Sequence, residues 1–489
     1  MTSSSIPVGP PLSSQDVVAV ARHGVPVQLT DAAHTAMADS RGWIEKLASA
    51  SEPVYGVSTG FGALATRHIP AEQRAALQRS LIRSHAASSG AEIDREVIRA
   101  LMLLRLRTLA SGRTGVHPQT ADTLAALLNA GITPVIGEYG SLGCSGDLAP
   151  LAHVALALMG DGEVRDAHGA RRPTAEALAE HGIAPVELAA KEGLALINGT
   201  DGMLGMLLLA CHDLTGLLRL ADATAAMSVE ALLGTDRVFA ADLAELRPQP
   251  GQAAAAANMR AMLAGSPIMD SHRGPDCTRV QDAYSLRCAP QVAGAARDTV
   301  VHAEAVAARE LASVIDNPVV LPDGRVESNG NFHGAPVGYA LDFLAIAAAD
   351  VASIAERRTD RMLDVHRSNG LPAFLADDPG VDSGHMIAHY TQAGSVSELK
   401  RLAVPASVDS IPTSAMQEDH VSMGWSAGIK LRRSIDGLTR VLAIEALTAA
   451  RALDLRAPLS PGPASAAIVA ALRERVPGPG PDRWLAPDI

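Results

Sequence analysis

A chain of 489 residues with 47% apolar side chains can bury a large core, and with only 3% aromatics that core must be built mainly of alanine, leucine, valine and methionine. Such a composition suits closely packed helices. A formal net charge of −12 argues against the clustered basic face of a nucleic-acid binder and points to a small-molecule partner.

The first residues lack the basic start and apolar run of a secretory signal, so a cytoplasmic protein is expected. An irregular, glycine-rich opening extends to about Gly62. Helical periodicity follows over 72–88, 94–109 and 118–130. After a loop at 140–146, the segment 147–159 predicts a helix with Asp147 at its N-terminus and Pro150 in the first turn, where a missing N–H costs little. Further helices are predicted over 186–197, 202–233, 291–314, 337–365 and 418–453. Several exceed 25 residues without proline, which predicts a mainly α, long-helix bundle with strands confined to short pieces such as 318–326. The most apolar stretch, 203–221, is interrupted by His212, Asp213 and Arg219, so a buried core helix is preferred to a membrane span. A Pro/Gly-rich tail after Leu455 carries one short helix at 464–474. The resulting division is 1–200, 201–455 and 456–489. Cys144, Cys211, Cys277 and Cys288 form no disulfide framework, and His272, Cys277 and Cys288 lack paired ligand spacing, so no metal is expected.

The most informative segment is Gly140-Ser141-Leu142-Gly143-Cys144-Ser145-Gly146-Asp147-Leu148-Ala149-Pro150-Leu151. A Ser-Gly pair held in a tight turn can cyclise. The Gly146 nitrogen attacks the Cys144 carbonyl, and loss of two waters leaves Ser145 as a dehydroalanine within a five-membered ring. Glycine permits the close backbone approach this requires. The product, 4-methylidene-imidazol-5-one (MIO), is an electrophile that no standard side chain supplies. The Cys144 thiol is expected to be a spectator.

Other motifs recur along the chain. Tyr55-Gly56-Val57-Ser58-Thr59-Gly60-Phe61-Gly62 contains a partial dinucleotide fingerprint, Gly60-x-Gly62-x-x-Ala65, but lacks the βαβ context and acidic partner that a nucleotide site needs. A serine-hydrolase elbow at Ser145 fails because Asp147 stands where the second glycine belongs. Then come Gln78 to Ala86 with His85, Lys191 to Thr200 with Asn198, Gln281-Asp282-Ala283-Tyr284-Ser285-Leu286-Arg287, Asp316-Asn317-Pro318, Gly330-Asn331-Phe332-His333 and Gln417-Glu418-Asp419-His420-Val421-Ser422-Met423. In this order, from about Tyr55 to Leu455, the set resembles the histidine and aromatic amino-acid ammonia-lyase family. Cys144 replaces the usual alanine, Ser58 an asparagine and Ala283 a proline.

The resemblance implies a long-helix bundle of the aromatic amino-acid lyase type, with a smaller N-terminal region bearing an MIO formed autocatalytically from Cys144, Ser145 and Gly146, and no external cofactor. It implies a carbon–nitrogen lyase that splits L-histidine into trans-urocanate and ammonia, the first step of histidine degradation, acting as a homotetramer whose sites draw on three subunits. Tyr55 is implied as the base for the β-proton, with Tyr284 assisting. Arg287 is implied as a bidentate clamp on the substrate carboxylate. Asn198 would orient the ring or the substrate amine, while Gln281 and Phe332 shape the pocket. Glu418 and His85 would recognise an imidazole, because relatives acting on phenylalanine or tyrosine tend to carry glutamine at the position of Glu418. A tyrosine or phenylalanine lyase and an MIO-dependent aminomutase are the alternatives. A noncatalytic helical scaffold would explain the helices but not the motifs.

Overall fold

Closely spaced alanines and leucines without interrupting prolines give four helices of 24 to 31 residues, Asp201–Ala231, Ala289–Ala312, Ala335–Leu363 and Gly424–Asp454. They dominate the computed structural model, which describes residues 5–489 apart from 10, 50–53, 61, 65, 275, 276, 278 and 279. Phe61, inside the Tyr55 motif, and Ala65, at the end of the partial fingerprint, thus lie outside the described residues. The long-helix bundle predicted from the sequence is the architecture found.

Contacts divide the chain into two units. The first comprises Met1–Leu209, Glu304–Asp342 and Pro405–Ile429. At its centre is the helix Arg95–Ala110, buried nearly all round. Two of its arginines, Arg99 and Arg105, are buried with it and donate to main-chain carbonyls. The Arg105 guanidinium donates to the carbonyls of Ala195, Asn198 and Ile315 and pairs with Asp201 at 2.7 Å. One buried cation thereby fixes the backbone on which Asn198 stands. Short strands decorate this unit: Thr133–Pro134, Glu163–Arg165 and Arg171–Pro173 form an antiparallel sheet, and Val319–Val320 pairs with Val326–Glu327.

The second unit comprises Ala210–Ala303, Phe343–Val404 and Lys430–Ile489. Its core includes Met227, Met259, Leu263, Met362, Leu453 and Val469, with alanines at 225, 226, 256, 449 and 450 allowing close helix approach. Arg358 meets Glu445 inside it, and Thr224 and Ser228 donate to the same carboxylate at 2.7 and 2.9 Å.

Three local expectations are corrected. Among the described residues, the opening before Gly62 carries regular elements rather than an irregular run. Ser14–His23 and Asp31–Ala48 are helices, the first closed by a Ser13–Asp16 capping box and the second capped by Thr30, and Ile6–Val8 pairs in parallel with Val27–Leu29. The helix expected over 186–197 is confined to Glu192–Ile197, because Lys191 takes a left-handed φ of 70°. Its ammonium is buried, donating to Asp316 Oδ2 at 2.6 Å and to the Thr114 carbonyl at 2.8 Å. The helix expected from Glu418 begins only at Gly424. Before it, Thr413 and Glu418 form a β-bridge, and Met423 has a φ of 50°.

Candidate active site

The Ser145 loop is held by the beginnings of four helices. Leu148–Leu158 leaves it directly. The Asp147 carboxylate accepts from the main-chain N–H of Gly202 and Met203 at 2.9 and 3.0 Å, in the first turn of Asp201–Ala231. Gly334 N–H, one residue before Ala335–Leu363, donates to the Gly143 carbonyl, and Met423 N–H, one residue before Gly424–Asp454, donates to that of Leu142. Several positive helix ends therefore converge on one short segment, an environment that favours negative charge. Asp147 is fully buried, and that burial pushes its carboxyl up to about 7 against the opposing pull of its hydrogen bonds.

Gly146 has a φ of 73°, and a Cβ built on it would lie 2.2 Å from the Gly199 oxygen and 2.4 Å from its nitrogen. Only glycine fits that approach. Ser145 is half-buried and its hydroxyl accepts from Asn198 Nδ2 at 3.2 Å. Asn198 is buried, and its Oδ1 has no partner among the described residues.

A cavity of 1310 Å³ opens beside this loop. Tyr55, His85, Cys144, Ser145, Asn198, Phe332 and Glu418 all line it, so the first unit alone gathers most of the residues singled out in the sequence. The Tyr55 hydroxyl accepts from Gly62 N–H at 3.3 Å. His85 Nδ1 donates to the Leu81 carbonyl at 2.9 Å on the last turn of Arg74–His85, and burial lowers its pKa although Glu418 opposes this, leaving a neutral ring. Cys144 Sγ donates to Glu418 Oε2 at 3.2 Å, and the Thr413 hydroxyl donates to the same oxygen at 3.2 Å. Burial first, and the neighbouring Glu418 charge second, push the Cys144 thiol up to about 12, so it keeps its proton. The thiol expected as a spectator is engaged.

Gln281, Tyr284 and Arg287 do not line the cavity. They belong to the second unit, where Gln281 and Tyr284 are exposed and the Arg287 guanidinium lies 4.6 Å from the centroid of the Tyr284 ring. Other cavity residues were not given roles from sequence. His333 and His420 stack with centroids 5.6 Å apart and planes 3° apart, and Thr413 holds Glu418. The two histidines belong to the motifs at 330–333 and 417–423; Thr413 carries no signal in the sequence, since its role depends on a bridge across a loop.

The aromatic amino acid lyase family matches residues 12–474. The chain belongs to this family. A histidine ammonia-lyase of Streptomyces avermitilis is 67% identical over 479 residues, covering 98% of this chain and 93% of that relative. Among solved structures, a tyrosine aminomutase from Streptomyces globisporus superposes with a TM-score of 0.93 at 39% identity, covering 99% of this chain and 95% of that one. A histidine ammonia-lyase from Trypanosoma cruzi does so with 0.90 at 37% identity, covering 99% and 92%. The lyase is thus a carbon–nitrogen lyase by family, with cavity and loop in the unit described above.

Proposed function

We propose that this lyase converts L-histidine into trans-urocanate and ammonia, using an MIO ring made from its own Cys144, Ser145 and Gly146. The histidine assignment is carried by Glu418. Its carboxylate lines the cavity that Ser145 also lines, and among the described residues both of its side-chain hydrogen bonds fall on Oε2. Oε1 is left for a ring N–H, which imidazole offers and the phenylalanine ring lacks. The names of the relatives in Streptomyces avermitilis and Trypanosoma cruzi agree with this assignment.

The loop fits the ring. Gly146 sits where no side chain could enter, Ser145 faces the cavity, and the unpartnered Asn198 Oδ1 is a buried acceptor beside it. Cys144, Ser145 and Gly146 would carry the group, which supplies an electrophilic methylidene carbon to activate either the substrate amine or its imidazole. The remaining work belongs to ordinary side chains. Tyr55 Oη, fixed at the cavity wall by the Gly62 N–H, takes the substrate's β-proton. The electron pair from that C–H bond becomes the new double bond, and the amine leaves with its former C–N pair. Asn198 orients the reacting end, Glu418 and neutral His85 hold the imidazole end, and Phe332 bounds the cavity.

The carboxylate clamp Arg287, with Tyr284 and Gln281, is contributed by neighbouring copies in a homotetramer. Its support is that Gln281 and Tyr284 are exposed, Tyr284 by 70%.

The deciding experiment incubates the protein separately with L-histidine, L-phenylalanine and L-tyrosine, following ammonia, the unsaturated acids and any β-amino isomers. Urocanate and ammonia in equal amounts from histidine are expected. Glu418→Gln should lower histidine turnover without opening the site to phenylalanine. Wild-type turnover of tyrosine or phenylalanine matching that of histidine overturns the assignment, and β-histidine as the main product converts it to a mutase.

A further inference from the structure

Glu418 is held from one side only. The Cys144 thiol and Thr413 hydroxyl converge on Oε2, each at 3.2 Å, while Oε1 receives neither. The thiol is 5% exposed and keeps its proton beside a carboxylate. A protonated thiol is a weak donor, yet its contact with an anionic acceptor is the stronger kind of hydrogen bond. The position is also unusual in its connectivity. Cys144 donates to Glu418 through Sγ, while its own peptide is directly bonded to Ser145, whose hydroxyl contacts Asn198. The backbone that would enter the ring is therefore tied by one side chain to the carboxylate at the cavity wall. An alanine at this position would leave that tie unmade.

We propose that Cys144 is a specificity-determining positioning residue: its thiol, with the Thr413 hydroxyl, pins Glu418 Oε2 and turns Oε1 toward an imidazole N–H, setting the distance between ring recognition and the reacting residue 145. The inference rests on the histidine assignment made above. Two donors on one oxygen restrict rotation of the carboxylate about its last bond. They leave one directed acceptor in place of two interchangeable ones, which suits a planar ring with a single N–H to offer. Loss of the thiol frees the carboxylate to rotate and leaves the Thr413 hydroxyl as its remaining side-chain donor.

The test separates recognition from chemistry by using the Ser145→Ala protein, which cannot form the ring, and 3-(imidazol-4-yl)propanoate, which has no amine to eliminate. Binding is measured by calorimetry. Adding Cys144→Ala should weaken binding about three- to tenfold, the span expected for a weak donor to a charged acceptor. Cys144→Ser, which retains a donor, should recover part of the loss. With Glu418→Gln also present, removal of the thiol should change binding less than twofold. Affinities for 3-phenylpropanoate should not respond to the thiol. Equal binding with and without the thiol overturns the proposal alone, as does a loss of the same size in the Glu418→Gln background. No binding of the imidazole probe by Ser145→Ala with Cys144 and Glu418 intact overturns the imidazole site itself, and the proposal with it.

Discussion

Asn198 donates to Ser145 through Nδ2 at 3.2 Å while its Oδ1 remains buried and unpartnered among the described residues. Half of this amide is engaged and half is held in reserve, at a cost that persists only where the free acceptor has a use. Asn198→Ala is expected to lower kcat by roughly 10²- to 10³-fold, the range for loss of one oriented polar group in an enclosed site. Ser145→Ala should abolish turnover with the fold retained. Intact-mass measurement completes the test: wild type should be lighter than its sequence by two waters and Ser145→Ala should not. An active protein of unmodified mass would remove the ring from the mechanism.

Arg287 offers a test of how a site is assembled. If it serves a neighbouring copy, mixed assemblies of Ser145→Ala and Arg287→Ala chains contain some sites with both residues intact. Co-expression should then restore activity well above that of either variant. If each chain used its own Arg287, every mixed site would carry one lesion and no recovery would be seen. Arg287→Lys should also lose efficiency, since an ammonium cannot make two parallel hydrogen bonds to a carboxylate.

Asp147 predicts a pH dependence of stability. Its folded pKa is raised to about 7 from 3.8, so the folded state binds the proton more tightly than the unfolded chain does. Below the unfolded value both states are protonated and no penalty arises. As pH climbs from about 4 to 7, ionisation of the unfolded chain costs the folded state stability, up to about 4 kcal/mol for a three-unit shift. Asp147→Asn removes this titration. Denaturant unfolding should therefore show wild type losing ground relative to the variant across that window; a constant difference would mean that Asp147 is ionised in the folded protein.

Lys191 and Asp316 are both fully buried and 2.6 Å apart. Burial lowers the pKa of the lysine and raises that of the aspartate, each opposed by its partner. Lys191→Met alone strands a buried carboxylate and should cost about 3–5 kcal/mol by equilibrium unfolding. Lys191→Met with Asp316→Leu should recover much of that loss. Additive costs in the double variant would show that the ion pair itself contributes little.

The bundle was legible because long alanine- and leucine-rich runs without proline have no other stable use than helix packing, as Asp201–Ala231 illustrates. The Ser145 loop was legible because its glycines are demanded by backbone contact, Gly146 against Gly199 above all. What is hidden has local causes in two helices and a distant partner in one side chain. Ser14–His23 is rich in valine, which blurs its helical pattern, although its Ser13–Asp16 capping box stands in the sequence. Met386–Leu402, a helix with a weak apolar stripe, was also missed. The engagement of Cys144 could not be read at all, because its acceptor lies 274 positions away on a segment taken for helix.

Such separations also order events in time. The Gly143 carbonyl accepts from the Ser422 hydroxyl across 279 positions, and the Leu142 carbonyl from Met423 N–H. During synthesis Ser145 leaves the ribosome tens of seconds before Ser422 exists, at roughly 5–20 residues per second. Until then two of the contacts that shape the loop cannot form. A ring that needs the finished loop would thus be a maturation mark: nascent, truncated or misfolded copies keep an ordinary serine and stay inert, and the reactive electrophile arises only in a chain complete enough to shelter it.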